Sequence, residues 1–256
     1  MGLLHSFRKY KRYLKTGKRI VEDQFFMATH KMTIAELKKE PSRTEIISFF
    51  VRLVAAEHYL EIGVRNPDHN FNKINCANKF SVDPGLEFKA NPATFKLTSD
   101  RFFEQLKNGA LSIPSTYTFD VIFIDGLHTA DQVEKDIENS LKHLSENGVI
   151  ILHDCNPPTE FHQRECFPFK NSPARHNWNG TTWKAYYKFR HQPSLFSACF
   201  DTDWGVAVLS KKAFPDFNQL PHIENNFFEY DVLQQNRERH LNLIDFNQWK
   251  NKLQHD

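Results

Sequence analysis

Glycine is scarce in this 256-residue chain, with only 9 residues, and none falls in a GxxxxGK[ST] or GxGxxG run. Loops that cradle nucleotide phosphates need such glycines, so P-loop chemistry is excluded and a nucleotide-dependent oxidoreductase is disfavoured. Cysteine is scarcer still. Cys76, Cys155, Cys166 and Cys199 show no CxxC spacing and suit a reducing cytosol better than a disulfide framework. No apolar run approaches the length of a membrane span, and no signal-peptide core follows the basic start. A cytoplasmic protein is therefore expected. Acid is missing from residues 1–20, which hold Arg8, Lys9, Lys11, Arg12, Lys15, Lys18 and Arg19. The formal net charge is only +2, so the rest of the chain is mildly acidic.

What is present is a chain that is 40% hydrophobic and 25% charged, ample for a sizeable core. It is organised around residues 119–156. Two apolar runs, Val121–Ile124 and Val149–Leu152, are short and rich in Val and Ile, as buried strands are. Between them Val133, Ile137, Leu141 and Leu144 recur at helical spacing. Thr129 with Gln132 forms a capping-box signature, and Gly148 stands where the chain turns into the next strand. This is a βαβ unit with parallel strands. Asp125 ends the first strand and Asp154 follows the second.

Before this unit, residues 3–30 read as helical, with Leu3, Leu4, Phe7, Tyr10 and Leu14 on one broad face. A basic amphipathic helix of this kind can bind anionic lipid or nucleic acid, or pack on the body as a solvated helix. Thr33 with Glu36, and Ser42 with Glu45, are two further capping-box signatures. Residues 1–57 are expected to form a helical cap, 58–223 the core and 224–256 a helical tail. Further strands are predicted at His58–Gly63, Lys79–Val82 and Thr94–Leu97, with Phe196–Phe200 and Val206–Leu209 forming an antiparallel hairpin at one edge. Helices are predicted after Asp100, around Thr182–Arg190 and around Asp245–Leu253. Alternating strands and helices define an α/β fold with a mostly parallel sheet.

Polar residues stand just past strand after strand: Glu61 and Gly63, Asp83, Ser99 and Asp100, Asp125 and His128, Asp154 and Asn156. Each alone reads equally well as a helix cap. Their recurrence at five strand ends points to a ligand site, because open parallel sheets bind ligands there. An acid ending the second strand is placed to accept ribose hydroxyls. Asp125, Asp154 and Asn156 are hard oxygen donors that suit Mg²⁺ or Ca²⁺. His128 is placed to remove an acceptor proton. His153, ending an apolar run, is expected to point into packing. The aromatic and amide-rich segment 177–184 suits a sugar or aromatic acceptor, or an ordinary packed loop.

At this point the chain resembles the class I S-adenosylmethionine-dependent methyltransferases. The likeness is closest to bacterial members acting on sugars or other small hydroxylated molecules. The matching pieces are YLEIGV (59–64), FSVDPG (80–85), LTSD (97–100), FDVIFIDGLH (119–128), GVIILHDCNPP (148–158) and DTDWGVAVL (201–209). The resemblance implies a doubly wound seven-stranded sheet, last pair antiparallel, and S-adenosylmethionine as cofactor. It places Glu61 and Gly63 along the methionine part, Asp83 on the ribose, and Ser99 and Asp100 near the adenine, with Asp125 a further expected cofactor contact. His128 and Asp125 are the expected catalytic pair, and metal-dependent O-methyltransferases use positions similar to Asp125, Asp154 and Asn156 for an ion such as Mg²⁺, although the Asp and Asn there are commonly adjacent and here Cys155 separates them. The acceptor would be a small molecule or sugar, with no nucleic acid partner and with residues 1–20 available for peripheral membrane contact. The chain departs from the family's pattern in its first loop, where Arg65 and Pro67 stand at positions usually held by small residues. A non-catalytic cofactor-binding or scaffold protein is the alternative that this loop keeps open.

Overall fold

The computed structural model describes residues 2–87, 90–169 and 171–254. Three helices lead into the sheet: α1 (Gly2–Val21), α2 (Gln24–Glu36) and α3 (Arg43–Leu53). The expected single helix over 3–30 is thus broken. Asp23 is the reason: its carboxylate accepts the Phe25 N–H at 2.9 Å and starts a second helix. The Ser42–Glu45 signature is formed, with Glu45 accepting both the Ser42 N–H and its hydroxyl at 2.9 Å. The Thr33–Glu36 signature is not. Both residues are buried at the end of α2, where the Thr33 hydroxyl donates to Thr29 O at 2.9 Å.

The sheet has seven strands: β1 (His58–Ile62), β2 (Asn78–Val82), β3 (Phe119–Ile124), β4 (Leu144–Leu152), β5 (Phe196–Phe200), β6 (Val206–Ser210) and β7 (Leu243–Ile244). Their order is β2-β1-β3-β4-β6-β5-β7. The first four are parallel, and β6 runs antiparallel to both β4 and β5. The helices α4 (Ser99–Lys107), α5 (Ala130–Lys142), α6 (Thr182–Phe189), α7 (Tyr230–Leu241) and α8 (Phe246–Leu253) complete the fold.

Strands buried on both faces need apolar residues at odd and even positions alike. Leu60, Ile62, Ile122, Ile124, Ile150 and Leu152 pack on one face with Phe102, Val133 and Trp183. Tyr59, Val121, Phe123, Val149 and Ile151 pack on the other with Ile46, Phe50 and Trp249. Both ends of the chain therefore supply core.

The strand expected at 94–97 is reduced to a single bridge between Val82 and Phe95. Its ladder stops because the Thr94 side chain, not its backbone, accepts the Ser81 N–H at 3.2 Å, while Leu97 N–H turns back to Phe95 O at 2.9 Å. The seventh strand is instead β7, parallel to β5 at the opposite edge, so the hairpin lies inside the sheet. Gly148 lies within β4, beside the register shift between Phe119 and Val121, where a side chain would meet Asp120 O at 3.0 Å.

Candidate active site at the strand ends

The strand order reverses beside β1 and β3, and the carboxyl ends of β1, β2, β3 and β4 all open at this point. Gly63 leaves β1 with φ +93°, and a Cβ there would lie 2.2 Å from Asp125 O. Only glycine allows this approach of two strand ends. Asp83, at the end of β2, accepts Val64 N–H at 3.1 Å and Gly85 N–H at 2.6 Å. Its carboxylate thus fixes the loop that leaves β1. Ser99 and Asp100 open α4 and both accept from the Gln132 amide, at 3.2 and 3.1 Å. The Thr129 capping box does not form: the Thr129 N–H donates to Leu127 O at 2.9 Å, and the Thr181 hydroxyl accepts the Ala130 N–H at 2.7 Å.

Glu61 is buried near the end of β1. It points to the other face of β1, where Oε2 accepts from Tyr59 Oη at 2.6 Å and from Asn70 Nδ2 at 2.8 Å. Burial pushes its pKa up to about 7.

Asp125, His128 and Asp154 converge, their ligand atoms all within 4.8 Å of one another. Asp154 is held at φ +61°, in the left-handed region that Asp tolerates better than most residues. The turn between β5 and β6 sets this geometry. Cys155 N–H donates to Gly205 O at 3.0 Å and Asn156 N–H to Trp204 O at 2.8 Å, clamping the end of β4. His128 Nδ1 lies 2.7 Å from Asp154 Oδ2 and Nε2 lies 3.5 Å from Asp125 Oδ1. Nδ1 is buried and lacks the alignment of a hydrogen bond. Trp178 stacks on this ring at 5.1 Å and 13°. Burial disfavours charge on His128, but Asp154 and Asp125 outweigh it and raise its pKa above the ordinary 6.5.

His153 does not point into apolar packing. Its Nδ1 lies 3.2 Å from both Asp125 Oδ1 and Asp154 Oδ2, and its Nε2 lies 3.1 Å from Asp203 Oδ1. Burial again opposes the charge, and Asp154 and Asp125 again overcome it, holding the pKa well above its usual value. Arg43, at the start of α3, contacts His153 Nε2 at 3.1 Å, Asp203 at 3.3 Å and Asp125 at 3.8 Å. Burial alone would raise the carboxyl pKa values, but these cations depress Asp125 and Asp154 and bring Asp203 to about 2.

Asn156 lies outside this group. Its amide nitrogen donates to Asp201 at 2.8 Å and its oxygen accepts from Arg237. It lines a cleft of about 740 Å³ between α2 and α7 that includes neither Asp125, His128 nor Asp154. The amide beside Asp154 belongs to Asn179, whose Nδ2 donates to Asp154 Oδ1 at 2.9 Å while its buried Oδ1 has no partner among the described residues. Gly180 lets this loop in: at φ +59° a Cβ there would lie 1.9 Å from His128 O. Sequence reasoning misses Arg43, His153 and Asp203 as members of the site, whereas Asn179 falls in the segment 177–184 that it singles out for an acceptor. The two aspartates of the 201–205 turn are the one available signal for Asp203.

Residues 40–155 match a family model described as a methyltransferase domain. A search of the curated proteins gives no match. Solved structures give distant likenesses. An O-methyltransferase from Bacillus cereus in complex with SAH is 15% identical, covering 74% of this chain and 91% of its own, with a TM-score of 0.44. A putative caffeoyl-CoA O-methyltransferase from Staphylococcus aureus is 15% identical, covering 79% and 99%, with a TM-score of 0.46. An SAH-bound methyltransferase from Podospora anserina is 16% identical, covering 79% and 96%, also at 0.46.

Proposed function

We propose that the methyltransferase domain carried by residues 40–155 makes this chain a class I S-adenosylmethionine-dependent O-methyltransferase, acting on a hydroxyl of a small molecule such as a sugar. The observation that carries the reading is the convergence of Asp125, His128 and Asp154 beside the glycine-only turn at Gly63. S-adenosylmethionine supplies a methyl group on an activated sulfonium. The chain's own residues then need only align the acceptor and take one proton.

The donor set fits that cofactor. Asp83 uses two of its roughly four lone-pair positions on Val64 and Gly85, which leaves acceptors for ribose hydroxyls. Ser99 and Asp100 lie at the start of α4, on the adenine side in this reading, with Gly63 and Asp125 on the methionine side. The residues also fit a divalent cation. Two carboxylates and an imidazole converge, with an unpartnered amide oxygen on the neighbouring Asn179. The carboxylates of Asp125 and Asp154 would hold an oxygen-seeking ion such as Mg²⁺ or Mn²⁺, which would lower the pKa of an acceptor hydroxyl and leave the single basic lone pair of His128 free for the proton. His128, kept in orientation by Trp178, accepts the acceptor's proton once it has shed its own. The four unpaired thiols suit a reducing cytosol.

Calorimetry with S-adenosylhomocysteine and with NAD tests the cofactor. Binding of the first alone is expected; binding of neither would favour the scaffold alternative, and binding of NAD would favour an oxidoreductase. His128→Ala should slow methyl transfer by about 10²–10⁴-fold while S-adenosylhomocysteine affinity is kept.

A further inference from the structure

Helix α1 carries its charge and its apolar residues on different sides. Phe7, Tyr10, Leu14, Gly17 and Val21 follow alternating steps of three and four, one stripe of a helix. Arg8, Arg12, Lys15 and Arg19, with Lys11 and Lys18 beside them, follow steps of the same kind on another side. No acid interrupts the helix; Glu22, just past its end, pairs with Lys18 at 3.7 Å.

Every residue from Ser6 to Val21 is exposed. Phe7 is 70%, Tyr10 65% and Leu14 75% exposed, far beyond what single surface apolar residues need. Most helical stability in proteins comes from packing an apolar face rather than from intrinsic propensity. Helix α1 has that face and no partner for it among the described residues.

We infer that α1 lies on an anionic lipid bilayer, with Phe7, Tyr10, Leu14 and Val21 at the acyl boundary and its basic side toward the headgroups. Both sides of the helix argue for this surface. A nucleic acid would neutralise the cations and leave the apolar stripe in water. A second copy of α1 could cover the stripe but would bring another set of cations and no acid. An anionic bilayer meets both demands. The helix rests on the surface and does not cross it: no helix of the described residues is long and apolar enough to span a membrane. Its length of about 30 Å lets several basic side chains reach the headgroups together.

The test uses the full chain and vesicles of equal parts phosphatidylglycerol and phosphatidylcholine, in a sedimentation assay. Binding is expected at low salt, absent on pure phosphatidylcholine and lost in high salt. The triple charge reversal K11E/R12E/K15E should lower partitioning by at least about 100-fold, since each basic residue near an anionic surface contributes ~1 kcal/mol. Phe7→Ser with Leu14→Ser should weaken it comparably while leaving S-adenosylhomocysteine binding unchanged, because neither residue touches the body. That unchanged binding also separates a failure here from a failure of the methyltransferase reading. No vesicle binding by the intact chain would overturn the proposal. So would tighter binding to duplex DNA, or a dimer in sedimentation that F7S/L14S dissociates.

Discussion

Replacing Glu61 by Gln should make the protein more stable in mild alkali. The carboxyl group is 3% exposed, and burial raises its pKa from 4.5 to about 7. A raised carboxyl pKa means that the folded state holds the proton more tightly than the unfolded chain. That contribution is complete below 4.5 and is lost as pH rises through about 7. At ~1.36 kcal/mol per pKa unit, ionising Glu61 costs the fold up to about 3 kcal/mol. Glutamine never ionises, and its single oxygen can accept from both Tyr59 Oη and Asn70 Nδ2, as Oε2 does. Urea denaturation of both proteins, from about pH 4.5 to about pH 8.5, reads the difference directly. The wild type should lose up to about 3 kcal/mol relative to Glu61→Gln across that range. Other groups titrate in both proteins and cancel in the comparison. Parallel stability profiles would refute the reasoning, because they would mean that Glu61 titrates alike folded and unfolded.

Three further outcomes are expected. Methyl transfer should rise with pH through a midpoint above 6.5, because the resting His128 holds a proton that it must lose before acting as a base; a midpoint below 6.5 would contradict the geometry. Titration with Mg²⁺ or Mn²⁺ should release protons and tighten as pH rises, and Asp154→Asn should abolish it; no heat at any pH would exclude an ion at this site. Asp83→Ala should weaken S-adenosylhomocysteine binding by roughly 1.5–3 kcal/mol, with unchanged affinity in a folded variant removing Asp83 from the cofactor site.

The core is legible because buried parallel strands advertise themselves. Val121–Ile124 and Val149–Leu152 can be read from composition alone, and β3 and β4 contain them. The third strand is not legible in the same way. Thr94–Leu97 has strand-forming residues, but whether a backbone or a side-chain oxygen takes a given N–H is decided by local geometry. Strand β7 has two residues, too few for any period. Among site residues, Asp125, His128 and Asp154 can be placed because strand ends follow from strands. Arg43 cannot, because a helix start reaches the site through tertiary packing that no spacing encodes; Asn179 is flagged only through the composition of segment 177–184, not as a neighbour of Asp154. His153 reads as a packing residue because its neighbours in sequence are apolar; its neighbours in space are three aspartates.

Those three aspartates raise a question of charge that the surrounding residues answer. Asp125, Asp154 and Asp203 are largely removed from water, and such carboxylates stay ionised only with cations close by. Three different elements supply them: Arg43 from the start of α3, His128 from the loop after β3, and His153 from the end of β4. The cluster is therefore assembled before any ligand arrives. The three cations are not equivalent, however. A guanidinium cannot lose its proton in the accessible pH range, whereas an imidazolium can. Arg43 thus balances a fixed share of the acid, chiefly Asp203 and Asp125. The share carried by His128 and His153 is exchangeable. Loss of their protons would leave negative charge beside Asp154, which a divalent cation could neutralise or an acceptor proton could refill. Proton transfer and cation binding at this site both depend on the charge that the same two imidazoles place beside Asp125 and Asp154. The pH dependence of one should consequently shift when the other is saturated, and the midpoint for methyl transfer should fall on adding Mg²⁺. A midpoint indifferent to Mg²⁺, in a protein shown to bind the ion, would mean that the ion and the proton occupy separate places.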